Sequence, residues 1–222
     1  MAEPGTDALA GTHGTGPTPP PHQYPRRVLL AVAGLSPQIL TETLYALAVA
    51  GEPAFVPTEI QLLTTAEGAE RARLSLLSED PGWFARLRAD YQLPPITFGP
   101  AQIAIIKDAA GQPLADIREL ADNACVADRL VETVRALTAD PDCALHVSLA
   151  GGRKTMGYYA GYALSLFGRP QDRLSHVLVS APFEQSWNFF YPTPYSRVIE
   201  TNDKQLADTR DARVTLAAVP FV

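Results

Sequence analysis

The chain has 222 residues, a formal net charge of −6 and a hydrophobic content of 46%. One domain accounts for most of that length, and the hydrophobic content is ordinary for a globular core. The acidic balance argues against a protein that coats DNA or RNA through a broad phosphate-contacting surface, although a local basic site stays possible. Cys125 and Cys143 form no CxxC pair, so the sequence predicts neither a zinc site nor a disulfide framework, and we expect no metal and no cofactor.

Residues 1–25 are rich in proline and glycine and have no apolar period. Such a segment cannot bury enough surface to offset its ordering entropy, so we predict a disordered tail followed by one domain over residues 26–222. The sequence lacks a secretory signal and any run of 18 or more uninterrupted apolar residues. We therefore expect a cytoplasmic protein with no membrane partner.

The first predicted strand is the apolar run from Val28 to Ala33, which leads into Gly34-Leu35-Ser36-Pro37. Ser36 stands where a helix N-cap would be and Pro37 fits the first helical position. Residues 39–50 continue in good helix formers. The pattern predicts a strand, a turn and a helix, with Ser36 as a cap or as a ligand contact.

The middle of the chain continues the alternation of strands and helices. The predicted elements are a strand at 59–64, helices at 66–77 and 83–91, an irregular strand within 96–106, and a long amphipathic helix at 114–137. The last of these carries Asp116, Glu119, Asp122, Asp128 and Glu132. On a helix, such residues more often form a solvated face than a metal site.

A second strand and turn follow at Leu145 to Leu149 and Gly151-Gly152, before a helix at 155–167 that ends at Gly168. A glycine turn at a helix N-terminus aims free backbone N–H groups at one point, where anions bind. Arg153 and Lys154 add positive charge, and Ser148 offers a hydroxyl. We therefore expect a ligand that carries phosphates.

Two other interpretations of this turn remain. Aligned on Lys154-Thr155, a P-loop would need glycines where Ser148 and Arg153 stand, so an ATPase is disfavoured. The segment GGRK is alternatively a tight turn with solvated basic residues.

The last strand of the alternation is predicted at 176–180, which completes a mostly parallel, doubly wound α/β sheet. In such sheets ligands bind at the carboxyl edge of the strands, where Ser36 and the GGRK turn would meet. Late β-prone runs at 196–200 and 213–219 are interpreted as an edge hairpin, a small late β element. The aromatic segment 183–195 is expected to be core, dimer seam or a flap that stacks on a base.

At two stretches, AGLSPQILTETLYAL (33–47) and SLAGGRKTMGYYAGYALSLFG (148–168) followed by DRLSHVLVS, the sequence resembles the CARF domains of type III CRISPR systems. Within them it resembles the CRISPR ring nuclease family. The resemblance runs from about Arg26 to the last residues. It implies a Rossmann-like homodimer that binds a cyclic oligoadenylate across its two-fold axis and cleaves it.

The resemblance also implies a set of site residues. Lys154 and Ser36 are the expected catalytic residues. The expected ligand-binding residues are Gly34, Leu35, Ser36, Pro37, Gln38, Ser148, Ala150, Gly151, Gly152, Arg153, Lys154 and Thr155. Arg153 would contact phosphate or equally hold a structural carboxylate, and Glu42 is a further candidate for ring contact. His146 and His176 lie inside apolar strands and are interpreted as core or edge histidines.

The implied activity is metal-independent cleavage of the ring, with cyclic tetra-adenylate as the expected substrate. The ribose 2′-hydroxyl would attack the adjacent phosphate and leave a 2′,3′-cyclic phosphate, without a polymeric nucleic acid partner. The alternative is a sensor that binds the ring and acts through a partner or an effector domain. No HEPN-type RxxxxH segment occurs in the sequence, which favours the enzyme. A Rossmann-like enzyme using NAD or ATP is weaker, because GxGxxG and GxxxxGKS/T are both missing.

Overall fold

The structure, a computed structural model, describes residues 18–184 and 186–221. The predicted disorder of residues 1–17 lies outside the described residues. Of the remainder of that segment, Pro21–Gln23 forms a 3₁₀ turn, and the half-buried Tyr24 packs against the core.

Five helices and eight strands make up this part of the chain. The strands are β1 (Arg26–Val32), β2 (Glu59–Thr64), β3 (Ile103–Ile105), β4 (Cys143–Ser148), β5 (Arg173–Val179), β6 (Val198–Glu200), β7 (Leu206–Asp208) and β8 (Val214–Ala218). The helices are α1 (Gln38–Ala48), α2 (Ala66–Ala72), which continues as a π-helical turn at Arg73–Leu77, α3 (Trp83–Asp90), α4 (Leu120–Thr138) and α5 (Lys154–Phe167).

The main sheet has six strands in the order β3-β2-β1-β4-β5-β8. The first five are parallel, and β8 closes the edge antiparallel to β5. The strand order reverses between β1 and β4, because the chain continues from β1 to β2 on one side of this pair and from β4 to β5 on the other. In doubly wound sheets this switch point, at the carboxyl ends of the strands, is where ligands bind.

Helices cover both faces of the sheet, as predicted. Leu29 and Ala31 of β1 pack on the side of α1, α2 and α3, whereas Val28 and Leu30 pack on the side of α4 and α5. Alternate residues of one strand thus enter separate cores, which explains why the central strands are apolar throughout. The fold is the expected α/β, Rossmann-like one with a small late β element.

Three local predictions were wrong. The first concerns the start of α1, where the N-cap is Pro37 and not Ser36, and no side chain caps the helix. The N–H of Leu40 donates to the carbonyl oxygen of Pro37. The helix therefore begins one residue later than predicted, and the hydroxyl of Ser36 does not cap it.

The second concerns α4, which begins at Leu120 and not at residue 114. Leu114 exchanges backbone hydrogen bonds with Ile106 and Ala66 instead. The carboxylate of Asp122 accepts the N–H groups of Arg118 and Glu119, which fixes the first turn.

The third concerns the late strands, because 196–200 does not pair with 213–219. The hairpin is formed by β6 and β7, and β8 adds to the main sheet instead. Of the predicted strand 96–106 only β3 and a single bridge from Thr97 to Glu59 form.

In the described part of the chain, every helix is too short or too polar to cross a membrane.

Candidate functional site

The two glycine turns predicted to share an edge are in direct contact. The N–H of Gly34, after β1, donates to the carbonyl oxygen of Gly151, after β4, at 2.7 Å. Gly151 has a φ of +92°, and a Cβ there would lie 2.9 Å from the side chain of Ile39 in α1. Glycine is therefore required at position 151 both by the backbone and by the close approach of α1.

A cavity of about 580 Å³ lies beside this contact. It opens where β5 runs on past the end of β4, and the N-terminal turns of α1 form one wall. The lining residues are Ser36, Gln38, Ile39, Glu42, Ala150, Gly151, His176, Val177, Leu178, Val179, Glu184, Ser186, Trp187 and Asn202. Its volume is in the range of pockets that hold a nucleoside-sized ligand.

Four predicted site residues, Ser36, Gln38, Ala150 and Gly151, line this cavity. Gly34, Leu35, Pro37, Gly152 and Thr155 flank it in the two turns and at the start of α5. The structure therefore brings the two sequence motifs to one place.

Lys154 and Arg153 lie at the same edge but outside the cavity. Lys154 is the first residue of α5, is exposed, and makes no hydrogen bond or ion pair with residues 18–184 or 186–221. The guanidinium of Arg153 lies 2.6 Å from Asp116 Oδ2. Arg153 therefore holds a carboxylate, which is one of the two roles predicted for it. Of these two cations, Lys154 is thus the one without a partner among the described residues.

Ser148, a predicted ligand-binding residue, is not among the residues that line the cavity. Its side chain is fully buried, and its hydroxyl is 3.2 Å from that of Thr43 in α1. As placed, the hydroxyl links β4 to α1 beneath the turn. A contact between Ser148 and a ligand stays a prediction.

Glu42 lies in the cavity wall, one helical turn after Gln38. It is 9% exposed, and burial raises the pKa of its carboxyl to about 8. It has no hydrogen bond or ion pair within the described ranges, 18–184 and 186–221. The sequence signal is that Glu42 is the charged residue of α1, whose other residues are apolar or uncharged. Its predicted contact with the ring stays a prediction.

Two further polar atoms in the cavity wall are buried and unsatisfied. Gln38 Oε1 and Ser186 Oγ have no hydrogen-bond partner within the described part of the chain. Gln38 Nε2 donates to the carbonyl oxygen of Trp187 at 3.1 Å. Buried polar atoms without partners are uncommon in folded proteins, and their clustering here points to a ligand or ordered water.

The aromatic segment divides between core and surface. Phe183, Phe189, Phe190 and Tyr191 are buried, as the core interpretation expected, whereas Trp187 is 56% exposed in the wall of the cavity. The guanidinium of Arg71 lies 5.7 Å from the centre of the Trp187 ring. Trp187 is therefore the ring of this segment that lies within reach of a ligand in the cavity.

The two histidines differ. His146 is buried, its Nε2 is 2.7 Å from Ser175 Oγ, and burial, with a smaller effect of Arg173, lowers its pKa to about 4. It is the satisfied core histidine that was predicted. His176 is exposed on β5 and lines the cavity.

The sheet, its switch point and the glycine turn at the start of α5 define a Rossmann-like α/β domain. The chain belongs to the family of CRISPR-associated protein NE0113, whose model matches residues 36–222. This match confirms the predicted relationship to CRISPR-associated proteins. No curated protein matches the sequence.

Among solved structures, the fold resembles Csm6 of Enterococcus italicus bound to cyclic hexa-2′-fluoro-hexa-dAMP. The match has a TM-score of 0.42 and 12% sequence identity, and covers 71% of this chain. The matched region spans only 34% of the Csm6 chain.

Proposed function

We propose that this protein is a ring nuclease that binds a cyclic oligoadenylate, cyclic tetra-adenylate in the first instance, and cleaves it without a metal ion. The observation that carries the proposal is the Gly34–Gly151 hydrogen bond of 2.7 Å. It joins the two turns at the switch point, so that Ser36, the cavity and the start of α5 lie together. Lys154 supplies the positive charge that a phosphodiester requires.

The reaction needs little from the protein beyond positioning and charge. The ribose 2′-hydroxyl of the ring loses its proton and attacks the adjacent phosphorus. The P–O5′ bond breaks, the departing 5′-oxygen takes up a proton, and the products end in a 2′,3′-cyclic phosphate. The ammonium of Lys154 and the free N–H groups at the start of α5 stabilise the charge on the phosphoryl oxygens. Ser36, which lines the cavity, orients the ribose.

The position of Lys154 outside the cavity fits a site that two copies of the chain share. On α5, Tyr158, Tyr162 and Leu166 are 69%, 48% and 53% exposed. Together with Lys154 they stand four residues apart, which places them on one face of the helix. Large exposed apolar patches of this kind mark interfaces.

We infer that this α5 face, defined by Tyr158, Tyr162 and Leu166, packs against its own copy in a two-fold homodimer. If the two-fold axis runs along the helices, the two α5 helices lie parallel, and both Lys154 side chains then lie at one end of the seam, next to both cavities. The seam then brings the two sets of turns around one ring. The earlier candidate for the seam, segment 183–195, is mostly buried within the chain.

One observation favours the alternative of a sensor that binds the ring without cleaving it. Arg153 is engaged by Asp116, and Lys154 does not line the cavity of a single chain. If the ring binds only in the cavity, neither of these two cations reaches its phosphates. Turnover separates the two functions.

The test is incubation with cyclic tri-, tetra- and hexa-adenylate in EDTA, with products separated by chromatography. We expect linear products ending in 2′,3′-cyclic phosphate. Binding without products in EDTA or with added Mn²⁺ or Mg²⁺ would leave the sensor, and cleavage only after adding a metal would overturn the mechanism.

A further inference from the structure

The wall of the cavity holds an acid that the proposed cleavage does not use. Glu42 is 9% exposed and lines the cavity together with the apolar side chains of Ile39 and Val177. In the described ranges 18–184 and 186–221, neither a cation nor a hydrogen-bond donor pairs with it. A buried carboxylate without a partner is costly, so the neutral acid is favoured.

The surroundings of Glu42 agree with a neutral carboxyl. The titratable or charged side chains that face the cavity are His176 on β5 and Glu184 in the loop after it, with Arg71 of α2 at the rim over Trp187. None of them forms an ion pair with Glu42. Burial alone raises the pKa of the carboxyl to about 8, which leaves it mostly protonated at neutral pH.

A flat apolar surface stands in the same wall. Trp187 is exposed in the cavity, and its carbonyl oxygen is held by Gln38 Nε2, one turn before Glu42 on α1. Residues four apart on a helix lie on the same face, so Gln38 ties the Trp187 backbone near the Glu42 carboxyl. Stacking of a base on an aromatic ring contributes roughly 1–3 kcal/mol.

We propose that this cavity is an adenine pocket in which the Glu42 carboxyl forms a pair of hydrogen bonds with the base, while the ring of Trp187 covers one of its faces. The inference deepens and rests on the proposed function, since the adenine would be one base of the bound ring.

The chemistry of the pair follows from the donors and acceptors. A neutral carboxyl carries one O–H donor beside one C=O acceptor. Adenine presents the complement on either edge, because its N6–H donates beside N1 or N7, which accepts. An ionised carboxylate has acceptors only, so it keeps one bond of the pair and loses the other.

The first experiment uses adenosine 5′-monophosphate, which needs neither a ring nor cleavage. The protein has two tryptophans, and Trp83→Phe removes the buried one, so that Trp187 reports binding by fluorescence. Calorimetry on the unaltered chain repeats each titration. At pH 7 we expect this nucleotide to bind at least about fivefold more tightly than purine riboside 5′-monophosphate, which lacks the 6-amino group, and ribose 5-phosphate to leave the fluorescence unchanged.

The second experiment varies pH from 7 to 9.5, above the second phosphate pKa of about 6. The base pairs with protonated Glu42, so affinity is full below pH 8 and falls up to about tenfold per pH unit above it. Glu42→Gln keeps a donor beside an acceptor without titrating, so it should bind at all these pH values. Glu42→Leu should bind the two nucleotides equally, and Glu184→Gln, a carboxyl at the rim, should keep the decline near pH 8.

Equal affinities for the two nucleotides in the unaltered chain, or a decline that persists in Glu42→Gln, would overturn the adenine pocket. These outcomes are independent of the proposed function. Cleavage of cyclic tetra-adenylate with unchanged affinity in Glu42→Leu would keep the nuclease and discard the pocket. Selective binding of adenosine 5′-monophosphate without any binding of the ring would do the reverse.

Discussion

Arg153 and Asp116 form an ion pair in which Nη2 and Oδ2 are 2.6 Å apart, and this pair withdraws one of the two cations of the GGRK turn from a ligand. A hydrogen bond from the N–H of Ile117, together with Arg153, holds the pKa of the Asp116 carboxyl below its usual range. The pair therefore persists at neutral pH. A phosphate would have to compete with Asp116 for this guanidinium.

Asp116→Asn should free Arg153 and raise the affinity for cyclic tetra-adenylate. The gain should be at most about fivefold, because an exposed ion pair contributes about 0–1 kcal/mol. Titration at two salt concentrations measures it, with Asp128→Asn in α4 as the control. Unchanged affinity would mean that Arg153 serves only to hold Asp116.

Lys154→Ala should lower the cleavage rate by about 10²-fold or more, with a smaller loss of binding. The reason is that a charge directed at a transition-state oxyanion contributes mainly to the chemical step. Single-turnover rates in EDTA measure the effect, and Lys107→Ala, another exposed lysine, is the control. An unaltered rate would make Lys154 a solvated turn residue.

Replacing Tyr158 and Tyr162 by Glu should dissociate the proposed homodimer. The two rings stack with centroids 6.3 Å apart on the exposed face of α5, and buried charges would be unpaired in the seam. Light scattering at micromolar concentration measures the mass, and circular dichroism checks the fold. Leu206→Glu, at a residue that is 76% exposed on β7, should leave the mass unchanged. The seam is refuted if the double variant has the same mass as the original protein.

Much of this architecture was predictable because each signal was local. The run Val28 to Ala33 and the strand 59–64 are apolar and bounded by turn residues, and both formed with bounds close to those predicted. The meeting of the two turns followed from the rule for parallel sheets, and the Gly34–Gly151 bond confirms it.

The features that were missed depend on contacts distant in sequence. The hydroxyl of the buried Ser148 pairs with that of Thr43, which is 105 residues away. The pairing of β8 with β5, and not with residues 196–200, depends on which sheet edge was free. The environment of Glu42 was likewise hidden, because a helical pattern cannot tell which face lines a cavity.

His146 should make the protein less stable as the solution becomes mildly acidic. Its pKa is about 4 in the folded chain and about 6.5 when unfolded, so the stabilisation is full above pH 6.5 and is lost as pH falls toward 4. The full loss is roughly 3 kcal/mol, from a difference of about two and a half pKa units. Urea unfolding at pH 7.5 and pH 5 measures it. In His146→Gln this loss should be smaller, and an equal loss in both proteins would contradict the assignment.

Gly151→Ala should separate the two turns and abolish ring binding while the chain stays folded. Alanine at a φ of +92° is strained, and its Cβ would lie 2.9 Å from Ile39, so the carbonyl that accepts the Gly34 N–H must move. We expect a loss of about 1–2 kcal/mol in the free energy of unfolding from the backbone strain.

The matched control is Gly157→Ala in α5, where a Cβ would lie 3.8 Å from its nearest neighbour. That change removes a glycine from a helix interior and should stabilise the protein by about 0.5–1 kcal/mol. Urea unfolding and titration with cyclic tetra-adenylate measure both variants. Normal binding by Gly151→Ala would show that the contact between the turns does not organise the site.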